Sequence, residues 1–380
     1  MILKEIQLSN FRNHTDTKVY FSSKVNIVSG NNGQGKTNLL EAISYSCLTK
    51  SMFTHRDTEV LQSGKSWFSV FATLYSDIEF TYKNQVRYNE EKKEKSFIIN
   101  NIEMEPLSSV IGKFPMVFLS PELSIITTGG PAERRRFLDI LLSQSSKVYL
   151  ENIIDFRRIV KQRNAILSNT TLKEDRELLE PWNELLVERG SKIINHRIEL
   201  LSQFKTHLIK SYSDIAGQNE IINIEYKSSI SENEGHSISS IQEKLRSELK
   251  KERPSELYKG TTLVGPHRDD LLFTINNHPF RQFASQGQHK TLLIALKIAE
   301  YYFLQDTRRE TPIVLLDDVF SELDNSRTNH LLDKLSELGQ TFISTTLENT
   351  TTVFGGLNLQ IETIVVKNGA VFKEKDIVVQ

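Results

Sequence analysis

Residues 30–37, Gly30-Asn-Asn-Gly-Gln-Gly-Lys-Thr37, decide the fold, because they fit the pattern G-x-x-x-x-G-K-[ST] without a gap. A predicted strand at 25–29 precedes the motif, and a helical pattern at 37–48 follows it. The glycines let the backbone curl so that several N–H groups point at one phosphate group, and the helix N-terminus adds positive potential. This order of strand, loop and helix favours a phosphate-binding loop over a plain Gly/Asn-rich turn.

Two side chains of this loop carry most of its expected chemistry. Lys36 neutralises the β- and γ-phosphates in such loops, and the hydroxyl of Thr37 is a Mg²⁺ ligand. The residues that we expect to bind the nucleotide are Gly30, Asn31, Asn32, Gly33, Gln34, Gly35, Lys36 and Thr37.

A second apolar stretch supplies the acid that a bound metal needs. Residues 313–316 predict a buried strand, and Asp317 and Asp318 follow at its carboxyl end, where the sites of open α/β sheets lie. We expect Asp317 to hold Mg²⁺ through water and Asp318 to orient or deprotonate the attacking water. Alone, the pair fits a turn with a helix cap equally well; beside the phosphate loop, the catalytic interpretation is favoured.

The distance between these two motifs predicts the domain organisation. Lys36 and Asp317 are 281 positions apart, so a long segment is inserted between two halves of one site. Residues 1–128 have the alternation of strands, 129–260 the spacing of helices with an elongated arm, and 261–380 return to strands. The sequence therefore predicts an α/β fold, a mixed sheet with helices, interrupted by an inserted helical lobe.

A short polar segment precedes the long helix predicted at 288–305. It contains Ser285, Gly287 and Gln288, and a Ser and a Gly at a helix N-terminus form an anion-binding end. By itself the segment favours a Ser N-cap followed by flexible residues.

Composition excludes several classes of protein. The 380 residues carry 47 Lys and Arg against 48 Asp and Glu, so a globally basic nucleic-acid binder is excluded and DNA binding would need a local patch. The sequence has no apolar run long enough to span a membrane, and the single cysteine, Cys47, reads as a buried structural thiol. We expect a soluble cytoplasmic protein with no membrane partner.

The order of the motifs resembles an ABC-type ATPase head, and in detail the RecF family, which is related to SMC heads. In this class the Ser-Gly helix end contacts the γ-phosphate held by the other protomer. The second acid is Asp, and Thr345-Thr346 stands where transporters carry a histidine. The family usually reads Lys-Ser-His-Arg after the first helix, whereas here Met-Phe-Thr separates Lys50-Ser51 from His55. The matching elements are Asn10-Phe-Arg-Asn13, Phe118-Leu-Ser-Pro-Glu122, Gly130-Pro131, Arg134-Arg-Arg-Phe-Leu-Asp139, Leu263-Val-Gly-Pro-His-Arg-Asp-Asp270 and Leu316-Asp-Asp-Val-Phe-Ser-Glu-Leu-Asp324.

The resemblance implies an ABC-type P-loop ATPase head that binds ATP and Mg²⁺ and hydrolyses ATP slowly. It implies an ATP-dependent homodimer in which Ser285, Gly287 and Gln288 act in trans, binding to single-stranded or gapped DNA, and recombinase loading with RecO- and RecR-type partners. Two alternatives stay open from sequence: the ATPase subunit of an ABC transporter and an SMC-like structural head. The transporter signature Leu-Ser-Gly-Gly-Gln is absent, and about 130 inserted residues are too few for an SMC coiled coil.

Basic residues of the insertion are the candidates for DNA contact. Residues 131–163 contain eight Lys and Arg against four Asp and Glu. Such clusters contact phosphates or form solvated faces, and both interpretations stay open. Arg12 likewise either touches the nucleotide or lies on the surface of a turn. The candidate DNA contacts are Arg157, Arg158, Lys161 and Arg163.

Overall fold

The computed structural model describes residues 1–54, 56–169, 175–217, 219–230, 237–323, 325–346 and 360–373. Its packing divides the chain into two compact units. The first unit comprises Met1–Ser124, Asp214–Gly217 and Lys290–Gln380, and the second comprises Ile125–Ser213 and Gln218–His289. His55 and Asp324 lie outside the described residues.

The first unit contains an antiparallel sheet with the strand order β2-β1-β4-β5-β6-β7. Its strands alternate buried and exposed side chains, as expected of a sheet with one face on the core. The strands are β1 Ile2–Phe11, β2 His14–Tyr20, β4 Trp67–Tyr75, β5 Thr81–Asn89, β6 Glu94–Ile99 and β7 Ile102–Glu103.

A second sheet of the first unit has the order β15-β14-β3-β13-β12-β8 and carries the two motifs. Its inner strands pair in parallel and are buried on both faces, which matches their continuous apolar sequences. Its strands are β3 Val25–Ser29, β8 Met116–Leu119, β12 Ile313–Asp317, β13 Thr341–Thr345, β14 Ile361–Lys367 and β15 Ala370–Lys373.

Helix α1, Lys36–Leu48, follows β3 and packs against strands of both sheets. Leu39, Leu40 and Ile43 are fully buried in the resulting core. Cys47 is also fully buried, which confirms its structural interpretation, and burial raises the pKa of its thiol to about 12. Helix α9, Asn325–Leu335, belongs to the same unit.

The second unit is mainly helical. Its helices are α2 Ile125–Thr128, α3 Pro131–Ser145, α4 Lys147–Ser168, α5 Asp175–Ala216, α6 Ile238–Lys259 and α7 Phe280–Phe283, with α5 grouped here up to Ser213. A small antiparallel sheet joins β9 Ile222–Lys227, β10 Asp270–Ile275 and β11 His278–Pro279. Helix α8 runs over Gln286–Arg308, and the unit boundary falls inside it between His289 and Lys290.

The predicted segments 1–128, 129–260 and 261–380 differ from these units chiefly at the second boundary. The strand predicted at 270–276 is present as β10, but it pairs with β9 over the register Asp270↔Lys227 to Ile275↔Ile222. This pairing groups residues up to His289 with the inserted unit, whereas the sequence pattern assigned 261–289 to the second half of the α/β core.

Candidate nucleotide-binding site

The loop of residues 30–35 leaves β3 in the middle of the parallel sheet and enters α1. Gly30 has φ 146°, and a Cβ at this position would lie 2.4 Å from the carbonyl oxygen of Val366. Gly35 has φ 108°, and a Cβ there would meet the side chain of Asn13 at 2.5 Å. Glycine is therefore required at both ends of the loop by backbone conformation and by space.

Lys36 folds back over the loop that it follows. Its ammonium donates to the carbonyl oxygens of Gly30 at 2.7 Å and Asn31 at 2.9 Å. The residue is 7% exposed, and burial lowers the pKa of its side chain, while the charges of Asp318 and Asp317 oppose that shift. A buried ammonium that donates to carbonyl oxygens is stabilised further by a neighbouring anion such as a phosphate.

Thr37 and Asp317 lie in direct contact although 280 positions separate them in the chain. The Thr37 hydroxyl donates to the two carboxylate oxygens of Asp317 at 3.0 and 3.2 Å. Ser344, at the end of β13, donates to Asp317 Oδ1 at 2.6 Å. Burial raises the pKa of Asp317, with the charges of Asp318 and Glu122 adding to the rise.

This pair of oxygen donors fits a hard cation. Mg²⁺ binds through hydroxyl and carboxylate oxygens, usually with retained waters and substrate phosphates rather than an all-protein cage. The described residues contain no group of three or more His, Cys, Asp or Glu placed to hold a metal. Thr37 and Asp317 are the residues that would hold the ion.

Asp318 occupies a conformation that is uncommon for residues other than glycine, with φ 48° and ψ 30°. Its backbone N–H donates to the hydroxyl of Ser344 at 2.9 Å, so Ser344 bridges the two acids. Its Oδ1 is buried and has no hydrogen-bond partner within the described chain. An unpaired buried acceptor at this position is suited to accept a proton donor such as water.

A cavity of about 160 Å³ opens between these groups. Lys36, Thr37, Asp318 and Ser344 line it together with the loop, so the two distant motifs meet at one site. The other lining residues are Asn32, Gly33, Gly35 and Asn38.

The loop is also tied down from outside the motif. The Asn13 amide donates to the carbonyl oxygen of Gln34 at 2.9 Å, and Asn38 donates to Asn13 at 2.8 Å. The turn between β14 and β15 contributes through the N–H of Gly369, which donates to the same Gln34 oxygen at 3.0 Å. The Asn13 side chain thus holds the loop in shape, a role that the sequence analysis missed.

The residues predicted to act in trans belong to the second unit, whereas the phosphate loop belongs to the first. Ser285 accepts a hydrogen bond from the Gln288 N–H at 3.2 Å, and the Ser285 N–H donates to Gln288 Oε1 at 2.7 Å. This reciprocal pair is a capping box, so within one chain Ser285 acts as the N-cap that the sequence left open. Gln288 also donates to Glu220 at 2.9 Å, while Gly287 lies in the first turn of α8.

Arg12 is held by hydrogen bonds to the protein. Its guanidinium makes two hydrogen bonds to Glu41, at 2.8 and 3.1 Å, and Glu41 is 1% exposed. A third bond joins Arg12 to the carbonyl oxygen of Glu59 at 2.7 Å. Arg12 therefore lies in a turn with its side chain 26% exposed, where it neutralises a buried acid of helix α1.

The candidate DNA contacts on α4 do not share one surface. Arg157, Arg158 and Lys161 are exposed, but Arg163 is buried and bonds Glu256 at 2.5 Å and Thr262 at 2.9 Å. The prediction that Arg163 belongs to an exposed basic cluster is wrong, because its position on the helix turns it toward α6.

No helix of the described residues is both long and apolar enough to cross a membrane.

Comparisons with known proteins agree with this geometry. The family model described as RecF/RecN/SMC N terminal domain matches residues 2–369. The DNA replication and repair protein RecF of Chloroherpeton thalassium is 40% identical over 91% of this chain and 95% of its own length. The same-named protein of Salinibacter ruber is 36% identical, covering 91% of this chain and 85% of its own.

Solved structures give the same result. The structure of the recombination mediator protein RecF-ATPrS in the RecFOR pathway is similar with a TM-score of 0.90 and 33% identity, covering 98% of both chains. The corresponding RecF-ATP structure has a TM-score of 0.89 and 32% identity, covering 98% of this chain and 97% of that one. An SMC head bound to a winged-helix domain of ScpA has a TM-score of 0.55 at 12% identity over 98% of this chain and 97% of that one, which shows the shared fold alone.

Proposed function

Since this chain belongs to the RecF/RecN/SMC family, whose heads are ABC-type ATPases, we propose that it is an ATP-dependent DNA-binding protein of recombinational repair and replication restart. ATP drives its dimerisation on DNA near single-strand gaps, and slow hydrolysis releases it. The curated relatives named RecF and the RecF-ATP structure support this proposal.

The contact between Thr37 and Asp317 is the observation that carries the proposal. It joins a phosphate loop and an acidic strand end into one pocket, although 280 positions separate the two residues. A phosphate loop and an acidic strand end meet in this way where a phosphate and its counter-ion bind between them.

The residues of the pocket have separable tasks toward ATP. The loop N–H groups and Lys36 bind the phosphates, while Thr37 and Asp317 would hold Mg²⁺. Mg²⁺, when bound, neutralises charge on the β- and γ-phosphate oxygens. Asp318 accepts a proton from the attacking water or orients it, and Ser344 fixes both acids in place.

Hydrolysis is weak in this proposal because one chain supplies only part of the site. It is DNA-dependent because the two copies come together on DNA. Ser285, Gly287 and Gln288 of a second copy complete it by contacting the γ-phosphate. Loss of that phosphate removes the charge that bridges the two copies, so ATP turnover acts as a switch of the homodimer.

DNA contacts are proposed for the exposed residues Arg157, Arg158 and Lys161. They are suited to phosphates of single-stranded or gapped duplex DNA, independent of base sequence and sensitive to salt. Acting in the cytoplasm, the protein assists recombinase loading with mediators of the RecO and RecR type.

Retention of a gapped duplex in the presence of ATP tests this function. The wild type is expected to retain DNA with ATP and to lose it without nucleotide, whereas Lys36→Arg retains little under either condition. The larger guanidinium does not fit the carbonyl cradle of Gly30 and Asn31. Equal retention by both proteins, with no response to nucleotide, would contradict the proposal.

A further inference from the structure

A second cavity, of about 330 Å³, lies wholly within the second unit. Its walls come from α3, α4, α5 and the segment that precedes β10. The ionisable lining is strongly biased toward one sign, with four arginines and one carboxylate beside a histidine. These residues are Arg135, Arg136, Arg157, Arg197, Asp139 and His267.

Arg197 forms the neutralised floor of this cavity. It is 1% exposed and bonds Asp139 at 2.9 Å, Tyr149 at 3.0 Å and the carbonyl oxygen of Pro266 at 2.7 Å. Asp269 lies 3.5 Å from the same guanidinium. Because Arg197 has two carboxylate neighbours, it positions the wall rather than offering free charge.

Arg135 and Arg136 are charged but not neutralised in the same way. Arg135 donates to the carbonyl oxygen of Asp269 at 2.7 Å, and no carboxylate is bonded to it or to Arg136 in the described part of the chain. The nearby Asp270 is already bonded at 2.8 and 2.9 Å by Arg134. Burial and the charge of Arg197 lower the pKa of Arg135, and the nearby carboxylates of Asp270, Asp269 and Asp139 offset that shift only in part.

The remaining lining strengthens electrostatic attraction inside the cavity. Ile153, Phe156 and Val160 form an apolar side, and a less polar surrounding raises the energy of any charge–charge contact. The Nε2–H of His267 donates to the Thr262 carbonyl oxygen at 3.1 Å, which places the ring proton on Nε2 because a carbonyl only accepts. Its Nδ1 is buried without a partner within the described residues.

We propose that this cavity is a phosphate-binding site in which Arg136 and Arg135 hold one phosphate group. Arg157, which is 64% exposed and bonds Asp139 at 2.8 Å, stands at the opening and contributes a third donor. Guanidinium forks match phosphate oxygens in two-point contacts, and an unneutralised pair of them favours a doubly charged oxyanion. Resting on the proposed function, the source of the phosphate is a DNA strand rather than a free anion.

Inorganic phosphate is the probe for the cavity itself. With saturating ADP and Mg²⁺ to occupy the phosphate loop, phosphate is expected to raise the unfolding temperature of the wild type in a concentration-dependent way. Arg136→Gln and Arg135→Gln should lose that shift. Lys147→Gln is the matched control, because Lys147 is 74% exposed on α4 and does not line the cavity, and it should keep the shift.

Affinity for a gapped duplex then distinguishes the two sources. Arg136→Gln is expected to weaken DNA binding about tenfold and to reduce the salt slope by about one, whereas Lys147→Gln stays within about twofold. A phosphate shift that persists in both cavity variants would overturn the site. Loss of the shift with unchanged DNA affinity would keep the site and overturn its DNA source. A wild type that binds no DNA would sink the proposed function while the phosphate experiment still decides the cavity.

Discussion

The phosphate loop of the first unit and the arginine cavity of the second unit are two ways of building a place for a phosphate. The loop uses eight consecutive residues, 30–37, and mostly backbone N–H groups on one strand and helix. The cavity uses side chains from several helices and a loop, spread over residues 132–267. A contiguous site is visible in the sequence, whereas a dispersed one appears only when the fold brings its charges together.

We expect the largest effect at Arg163. The sequence analysis grouped this residue with the candidate DNA contacts, whereas the fold buries it. Arg163→Ala removes the cation bonded to Glu256, whose side chain is 0% exposed, and leaves that buried carboxylate bonded to the Leu263 N–H without this counter-charge. Such a loss costs about 3–5 kcal/mol in the free energy of unfolding. Urea unfolding measures the loss in the free energy of unfolding, and hydrogen exchange of peptides from α4 and α6 shows where in the fold it occurs.

Arg158→Ala is the control for that variant, because its side chain is 76% exposed and 3.7 Å from Asp155. It should change stability by less than about 0.5 kcal/mol. Equal destabilisation by the two variants would show that Arg163 is not the structural member of the cluster.

The next effect concerns the first unit and the chemistry of Asp318. Asp318→Asn keeps the shape of the residue, and Asn tolerates the positive φ of 48° as well as Asp does. We expect ATP hydrolysis to fall by about 100-fold or more while ATP binding and dimerisation persist, so the dimer accumulates. Single-turnover hydrolysis and gel filtration with ATP measure the two effects, and near-normal turnover would exclude Asp318 as the base.

A smaller effect is expected from pH at the cavity. Burial lowers the pKa of His267 to about 4, so between pH 6.5 and 4 the unfolded chain binds a proton that the folded chain does not. The free energy of unfolding therefore decreases as pH falls through that window. The decrease is about 2 kcal/mol after allowance for the partial exposure of His267. Urea unfolding at a series of pH values should show a flatter dependence for His267→Gln; identical profiles would contradict this assignment.

The nucleotide pocket was predictable to the extent that each half is a local pattern. Lys36, Thr37 and Asp317 could be named from strand, loop and acid alone, and the structure brings Thr37 and Asp317 within 3.0 Å. Ser344 could not be named, because its role depends on β13 lying beside β12 with Ser344 opposite Asp317. Nothing in the residues around Ser344 specifies that register.

The second unit shows what a charge cluster hides. Phe156, Ile159, Arg163 and Leu167 are all buried and follow helical spacing, so the phase of α4 already assigned Arg163 to the core side. That signal was present in the sequence and the charge count obscured it. The pairing of β10 with β9 is different, because two short amphipathic strands do not specify their partner without the fold.

The central claim is that two distant stretches form half of a nucleotide pocket and that a second copy supplies the other half. Sedimentation of the wild type and of Ser285→Arg, with and without ATP, tests it most directly when ATP binding is measured on the same samples. The account predicts an ATP-dependent dimer for the wild type and a monomer that still binds ATP for Ser285→Arg. A Ser285→Arg protein that dimerises with ATP as the wild type does would contradict it.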